Sequence, residues 1–281
     1  IADPRRRADD GRGAWLRKEE SGGHKYDHGA ALVVAGGPGA GGAARLAARA
    51  ALRVGAGLVT LAPPAAAMAE HALPPDALMR RAVDDADALA QLASDRRGMA
   101  LCIGPGCGVT RAAALLDAVR AAARPTVLDA DALTALAKAP GALPPDCVLT
   151  PHGGEFARLF PDLADQLSTD TPSRPKPAIL REAARRIGAV IVLKGPDTVI
   201  ANPQGRVAIH SDPHIPWLAT AGSGDVLAGI ITGLLARGLP AFDAACLGVR
   251  LHGAVARRHG PGLIADDLID GLAPVIAEWD G

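Results

Sequence analysis

The chain has 281 residues, 49% of them hydrophobic, which is enough for a large core and lies near the upper size of one domain. Thirty basic and thirty acidic residues cancel to a net charge of +0, and aromatics make up only 2%. The sequence therefore offers neither a phosphate-tracking basic surface nor a set of base-stacking rings, which argues against a nucleic-acid partner, and no apolar run reaches the ~18 residues needed to cross a bilayer.

Residues 1–20 are polar and Arg-rich, lack the apolar centre of a signal peptide, and are expected to form a tail or a linker from something upstream of Ile1. Residues 21–281 are read as one domain. Its first apolar run, at 30–35, ends in Gly36-Gly-Pro-Gly and reads as a buried strand, a tight turn and a helix over 43–54, with a strand at 58–61 next. The turn is no Walker A loop, since no Gly-Lys-Ser/Thr follows, nor a clean GxGxxG with an acidic partner. Tight packing explains it as well as a ligand does. Residues 63–97 read as helix and connection. Residues 99–103 repeat the strand pattern, with the turn Gly104-Pro-Gly-Cys-Gly and a helix to about 123. A strand at 126–128 follows, and Asp129 and Asp131 stand just past its end, where ligands collect in parallel sheets. Asp131 equally suits the cap of the next helix.

A strand at 147–150 leads through Pro151 to a helix start carrying His152 and Glu155. A lone histidine is commonly a surface residue, but this one follows a strand and has a carboxylate three residues on. Residues 161–177, rich in proline, read as a solvated connection. A helix over 178–187 and strands at 189–193 and 197–201 come next, with a hairpin at Gly205 into 206–210. Lys194, closing a buried strand, either pairs with a phosphate or snorkels to the rim. His210 and His214 do not form an i,i+4 helical pair, because Pro213 intervenes, and no metal is assigned to them. Cys102, Cys107, Cys147 and Cys246 lack CxxC or zinc spacing and lie in or beside apolar runs, as reduced thiols of a cytosolic protein do.

Leu218-Ala-Thr-Ala-Gly-Ser-Gly-Asp then precedes apolar pairs at 226/227, 230/231 and 234/235, a glycine loop feeding a helix. Gly222 and Gly224 let N–H groups approach an oxyanion, and the first turn adds unpaired N–H groups and a positive dipole end. The plainer alternative makes Asp225 only the N-cap. Helices over 242–259 and 265–279 close the chain. Strands alternating with helices imply an α/β sandwich around a mainly parallel sheet, with the glycine and acidic turns gathered on one edge.

His24-Lys25 with Gly29, the loop 36–43 with Val54-Gly-Ala-Gly-Leu, Ile103-Gly-Pro-Gly-Cys-Gly, Leu128-Asp-Ala-Asp-Ala-Leu, Leu149-Thr-Pro-His-Gly-Gly-Glu, Val192-Leu-Lys-Gly-Pro-Asp-Thr, Ala221-Gly-Ser-Gly-Asp and Cys246-Leu-Gly-Val-Arg-Leu-His-Gly occur in that order. The set, over about residues 23–279, resembles the ADP- or ATP-dependent NAD(P)H-hydrate dehydratases, a branch of the ribokinase-like superfamily. The Gly-Ser-Gly-Asp loop alone would say only ribokinase-like. The resemblance implies a ribokinase-like three-layer sandwich with helices flanking the sheet. It also implies a repair reaction, in which the ring hydroxyl of (S)-NAD(P)H hydrate is phosphorylated and phosphate is then lost to restore the dihydronicotinamide.

In that family frame Asp225 would orient the substrate hydroxyl and take its proton, and Gly222, Ser223 and Gly224 would hold the transferring phosphate. Lys194, Gly195, Pro196, Asp197 and Thr198, with Gly224, would lie along ADP or ATP. Ala43, Gly106 and His152 would lie along the hydrated dinucleotide, and Glu155 would help hold Mg²⁺ through water. A cytoplasmic homo-oligomer, a tetramer by resemblance, is implied, with an epimerase fused upstream or acting beside it. Two departures stand out. Ala221 replaces a glycine common in the family, which requires a negative φ there. Ile215 and Trp217, in His214-Ile-Pro-Trp, replace the asparagine and second glycine of Gly-Asn-Pro-Gly. The rival enzyme is a ribokinase-like kinase of hydroxymethylpyrimidine, thiazole or pyridoxal-type alcohols that leaves its phosphate attached. The rival outside catalysis is a nucleotide-binding regulator without turnover.

Overall fold

A computed structural model describes residues 16, 18, 24–94, 99–144, 146–167 and 174–280. In chain order the elements are β1 (Ala30–Val34), α1 (Gly41–Arg53), β2 (Leu58–Ala62), β3 (Met79–Arg80), α2 (Ala86–Ser94), β4 (Met99–Ile103), α3 (Val109–Ala122), β5 (Thr126–Leu128) and α4 (Ala130–Lys138). There follow β6 (Cys147–Leu149), α5 (Gly153–Leu159), α6 (Pro161–Leu167), α7 (Lys176–Ile187), β7 (Val190–Leu193), β8 (Asp197–Ala201) and β9 (Val207–Ser211). Helices α8 (Ser223–Ala236), α9 (Ala241–His259), α10 (Ala265–Asp270) and α11 (Leu272–Asp280) complete the fold.

The strands form one sheet in the order β3-β2-β1-β4-β5-β6-β7-β8-β9. Pairing is parallel from β3 to β7, and β8 and β9 continue it as an antiparallel ribbon. β1 and β4 are buried along their whole length, because both faces of the sheet are covered. Alternate residues go to opposite layers. Ala31, Val33, Ala100 and Cys102 pack with α1, α8 and α9, whereas Leu32, Val34, Leu101 and Ile103 pack with α3 and α4. Under the β7 to β8 end, Phe156, Phe160, Leu163 and Ile179 continue the second layer against Ile191 and Leu193. The α/β sandwich expected from the alternating elements, and the three layers implied by the family resemblance, are the observed architecture.

Sequence order turns back after β3, so β4 pairs with β1 on its free side. The turns after β1 and β4 therefore diverge from adjacent strands, the switch point at which open α/β sheets bind ligands. α8 reaches this edge because it lies almost backbone to backbone on α1. A Cβ added at Gly229 would stand 2.1 Å from the Ala47 carbonyl oxygen, and one at Gly233 would stand 2.7 Å from that of Ala51.

Several expected elements differ. Residues 161–167 are helical rather than a solvated connection, with Pro161 as the first helical residue, where its missing N–H costs nothing, and Leu163 fully buried. The helix expected over 265–279 is two, separated at Gly271, where a side chain would meet Val255 Cγ1 at 2.4 Å. Of residues 1–20 only Leu16 and Lys18 are described. Leu16 packs into the α1/α8/α9 layer, and the rest of the expected tail lies outside the described residues.

Gly229→Ala is expected to lower stability by about 1–3 kcal/mol through overpacking against α1. Gly42→Ala, where nothing lies within 4 Å of the new methyl group, should be neutral or slightly stabilising. Urea unfolding midpoints of the two variants check this.

Candidate functional site

The site is built at the C-terminal edge of the sheet, from strand ends upward. Lys194 follows β7, and its backbone N–H donates to the Pro151 carbonyl at 2.8 Å, which fixes the β7 end beside the turn after β6. Its Nζ lies 2.9 Å from Asp129 Oδ1, and the same oxygen accepts from Thr150 Oγ1 at 2.8 Å. Asp129 is 2% exposed, so the ion pair is closed on the Asp129 side and open on the Lys194 side. Asp129 occupies the N-cap position of α4 and is followed by Ala130 at φ 45°, a left-handed conformation that is costly for a residue with a Cβ. The sequence left Asp131 as a possible cap. Instead it lies in the first turn of α4, and its Oδ2 accepts from the Gly108 N–H at 2.9 Å, tying the turn after β4 to β5.

Above this pair stands the start of α8. Gly222, not Asp225, is the N-cap, in the left-handed region at φ 85°. A methyl group there would also press on Leu46 Cδ1 and Ala265 Cβ at 2.6 and 2.9 Å. Among the described residues the non-glycine positions at positive φ are Ala123, Ala130 and Asp146, so Ala221 meets its backbone condition. Asp225 is the third helical residue, and the plain capping reading fails for it. A Cβ on Gly224 would lie 3.1 Å from Lys194 Nζ, which puts the ammonium directly beneath the first turn. His252, from α9, reaches the same turn: its Nε2 donates to the Ser223 carbonyl at 3.0 Å and lies 3.2 Å from Ser223 Oγ. Burial pushes the His252 pKa down to about 4, so the ring that braces this turn is neutral.

The electrostatics converge on Asp225. Its pKa is pushed up to about 6, first by desolvation, then by the charge of Asp129, with Asp131 and Glu155 adding and Lys194 opposing. A carboxylate poised there is charged at neutral pH yet holds a proton far better than an exposed aspartate.

Three other helix starts at this edge have their amides taken. At α5, His152 Nδ1 accepts from Gly154 and Glu155 N–H groups at 3.0 and 3.3 Å, while Glu155 Oε2 accepts from His152 N–H at 2.9 Å. This capping box puts the His152 ring proton on Nε2, which lies 3.6 Å from Glu155 Oε1. At α1, Glu70 accepts from Gly39 and Gly41, and before α3 Asp131 takes Gly108. Among the described residues no side chain caps α8. The α4 start likewise has no side-chain cap, but the first turn of α8 stands over Lys194, which favours its N–H groups and dipole end as the place for a phosphate.

The remaining candidates line the same edge. Ala43 Cβ is 3.2 Å from where a Gly106 side chain would begin, so the turns after β1 and β4 meet there. Gly195 and Pro196 form the exposed β7–β8 turn into Asp197, the exposed first residue of β8, closed by Thr198 Oγ1 donating to the Gly195 carbonyl at 3.2 Å and by Lys176 Nζ donating to that of Asp197 at 2.6 Å. Beside Gly222 a groove of about 320 Å³ opens between Trp217 and Ile264, both about half exposed. Among the described residues no group of three or more His, Cys, Asp or Glu side chains converges to cage a metal, and Glu155 spends Oε2 on its cap. The donor set suits Mg²⁺ carried in on nucleotide phosphates with most of its waters, which that ion commonly keeps.

Residues 31–271 match the family model of the NAD(P)H-hydrate dehydratases. The chain belongs to that family. It is 42% identical to the bifunctional NAD(P)H-hydrate repair enzyme Nnr of Moorella thermoacetica, over 94% of this chain and 53% of the relative. It is 37% identical to the ADP-dependent (S)-NAD(P)H-hydrate dehydratase of Neisseria meningitidis, over 94% and 88% of the two chains. The crystal structure of the Bacillus subtilis ADP/ATP-dependent NAD(P)H-hydrate dehydratase, co-crystallised with ATP/Mg²⁺, superposes with a TM-score of 0.77 at 30% identity, covering 96% of each chain. The chain spans about half the length of the bifunctional relatives it matches.

Asp225 binds its proton more tightly folded than unfolded, so its contribution to stability is lost as pH rises from about 4 through about 6. In this dehydratase-family chain Asp225→Asn should therefore raise the Tm at pH 8 by about 2–4 °C and leave it unchanged near pH 3.5. Calorimetric scans at the two pH values check this.

Proposed function

We propose that this chain carries nucleotide-dependent dehydration of (S)-NAD(P)H hydrate, the repair of damaged NADH and NADPH. The observation that carries this reading is Asp225 in the first turn of α8, partly desolvated, at a helix start that no side chain caps and above Lys194. That set handles an alcohol and a phosphoryl group together.

Asp225 accepts a hydrogen bond from the ring hydroxyl and takes its proton as the oxygen bonds to phosphorus. A carboxylate is a weak base toward an alcohol, so proton transfer is late and positioning supplies most of the acceleration. The N–H groups at Gly222, Ser223 and Gly224 receive the charge of the transferring phosphoryl group, with Lys194 as the adjacent cation. Lys194, Gly195, Pro196, Asp197 and Thr198 hold the nucleotide, and Ala43, Gly106 and His152 hold the hydrated dinucleotide, the His152 Nε2–H serving as a donor. Glu155 would help hold Mg²⁺ through water, and the ion would supply charge neutralisation to the phosphates. The phosphorylated carbon then loses phosphate as the ring-nitrogen lone pair forms the new bond and a neighbouring C–H proton leaves. With ADP as donor the balance is ADP plus hydrate giving AMP, phosphate and NAD(P)H.

The catalytic domain is assigned to residues 21–281, and the relatives named as bifunctional support an epimerase on the same polypeptide or acting beside it. Bacterial relatives named ADP-dependent support ADP as the donor.

NADH hydrate, Mg²⁺ and the protein, with ADP or ATP in separate cuvettes, should regain absorbance at 340 nm with one phosphate released per NADH. A stable phosphorylated product instead would assign the chain to the small-molecule kinases of this fold. Asp225→Ala should lower turnover at least ~100-fold with an unchanged circular dichroism spectrum. The pH profile of kcat/KM should rise to a plateau with a midpoint near the value of about 6 held by Asp225, since the base acts deprotonated.

A further inference from the structure

The turn between β1 and α1 is glycine-rich and opens a 13-residue helix, yet its amide end is filled by the chain itself. Glu70, in the 3-10 turn Ala65–His71 after β2, sends one carboxylate oxygen to each of two N–H groups, Oε2 to Gly39 at 2.7 Å and Oε1 to Gly41 at 2.9 Å. These bonds hold its carboxyl below the usual carboxylate range. The next residue, His71, is 1% exposed, and neither of its ring nitrogens has a partner among the described residues. His71 Cε1 and Glu70 Oε1 stand 2.8 and 2.5 Å from where a Gly41 side chain would begin. The first turn of α1 is thus pressed on a fixed wall. On its other side the same loop meets the turn after β4: a Gly36 side chain would collide with the Gly106 carbonyl oxygen at 1.9 Å, and a Gly106 side chain would meet the Ala40 carbonyl oxygen at 2.6 Å.

We propose that Glu70 is a positioning residue for the substrate: its two-amide grip sets the loop 36–42 so that Ala43 and Gly106 form one surface for the hydrated dinucleotide. The inference rests on the assignment of Ala43 and Gly106 to that substrate in the proposed function. Glu70 touches neither reacting group nor nucleotide. Its loss therefore acts on substrate binding and spares the donor site, which hangs on β7 and α8.

The test measures KM for NADH hydrate, KM for ADP and kcat in Glu70→Ala, Glu70→Gln and Gly41→Ala, with calorimetric Kd values for NADH and ADP and a Tm for each variant. Glu70→Ala should raise the KM for hydrate and the Kd for NADH about tenfold or more, as expected for losing charge-assisted hydrogen bonds. kcat and both constants for ADP should stay within about twofold. Glu70→Gln, whose amide has one acceptor oxygen, should fall between Ala and the parent. Gly41→Ala, which displaces the carboxylate without removing it, should show the same split should Glu70→Ala fail to fold.

Equal changes for hydrate and ADP, a loss confined to Tm or kcat, or no change at all would each overturn the assignment. A parent protein that dehydrates the hydrate while the variants keep its KM sinks the Glu70 role alone. A parent that neither turns over hydrate nor binds NADH sinks both readings.

Discussion

The contact between α1 and α8 decides where everything else can be. Gly229 and Gly233 let α8 settle on the alanine face of α1, Ala47 and Ala51, closer than any side chain would permit. Close approach brings the first turn of α8 to the strand ends and aligns it over Lys194, while the opposite face of α1 covers β1 and β2. A bulkier α8 would stand off the sheet and lift Asp225 away from the lysine beneath it. Small residues here are structural in the same sense as a large core side chain elsewhere, because they set a distance.

Charge is distributed to suit that distance. Three carboxylates, Asp129, Asp131 and Glu155, lie close enough to raise Asp225, and one ammonium opposes them. Each of the three is also anchored by polar partners: Asp129 by Lys194 and Thr150, Asp131 by the Gly108 amide, Glu155 by the His152 amide. Asp225 stands in the first turn of α8, which no side chain caps. The negative surroundings that make it a better base also disfavour its charged form, so stability and proton affinity are drawn from the same residues.

Much of this edge was legible because glycines and charges interrupt apolar runs at strand ends, and such interruptions in a parallel sheet fall on one side. The role of Asp225 was ambiguous in sequence, since an aspartate ahead of an apolar run fits both a cap and a base; the left-handed φ of Gly222 settles its position as the third helical residue. Glu70 was not found. It lies in an alanine-rich segment folded as a 3-10 turn, which has no long hydrophobic period, and its partners are backbone groups about thirty residues away. His252 shows in the sequence only as part of a motif, because it sits on a helix among apolar residues and its partner, the Ser223 carbonyl, lies 29 positions away. The helix at 161–167 was hidden by Pro161, which the helix tolerates at its first position, and by Pro172, Pro175 and Pro177 beyond it, which made the whole stretch read as a connection.

The glycine contact between α1 and α8 also bears on motion. Two helices packed with almost no side chain between them have no layer that can slide or repack, so they move as one body. Ala43 rides on one and Asp225 on the other. The substrate wall and the base assigned in the proposed function therefore keep a constant separation. Adjustment on binding falls to the other bank of the site, the exposed Gly195–Asp197 turn held by one lysine and one threonine bond. The α1 and α8 side of the site is a fixed anvil, and the exposed turn after β7 is the side left free to adjust against it.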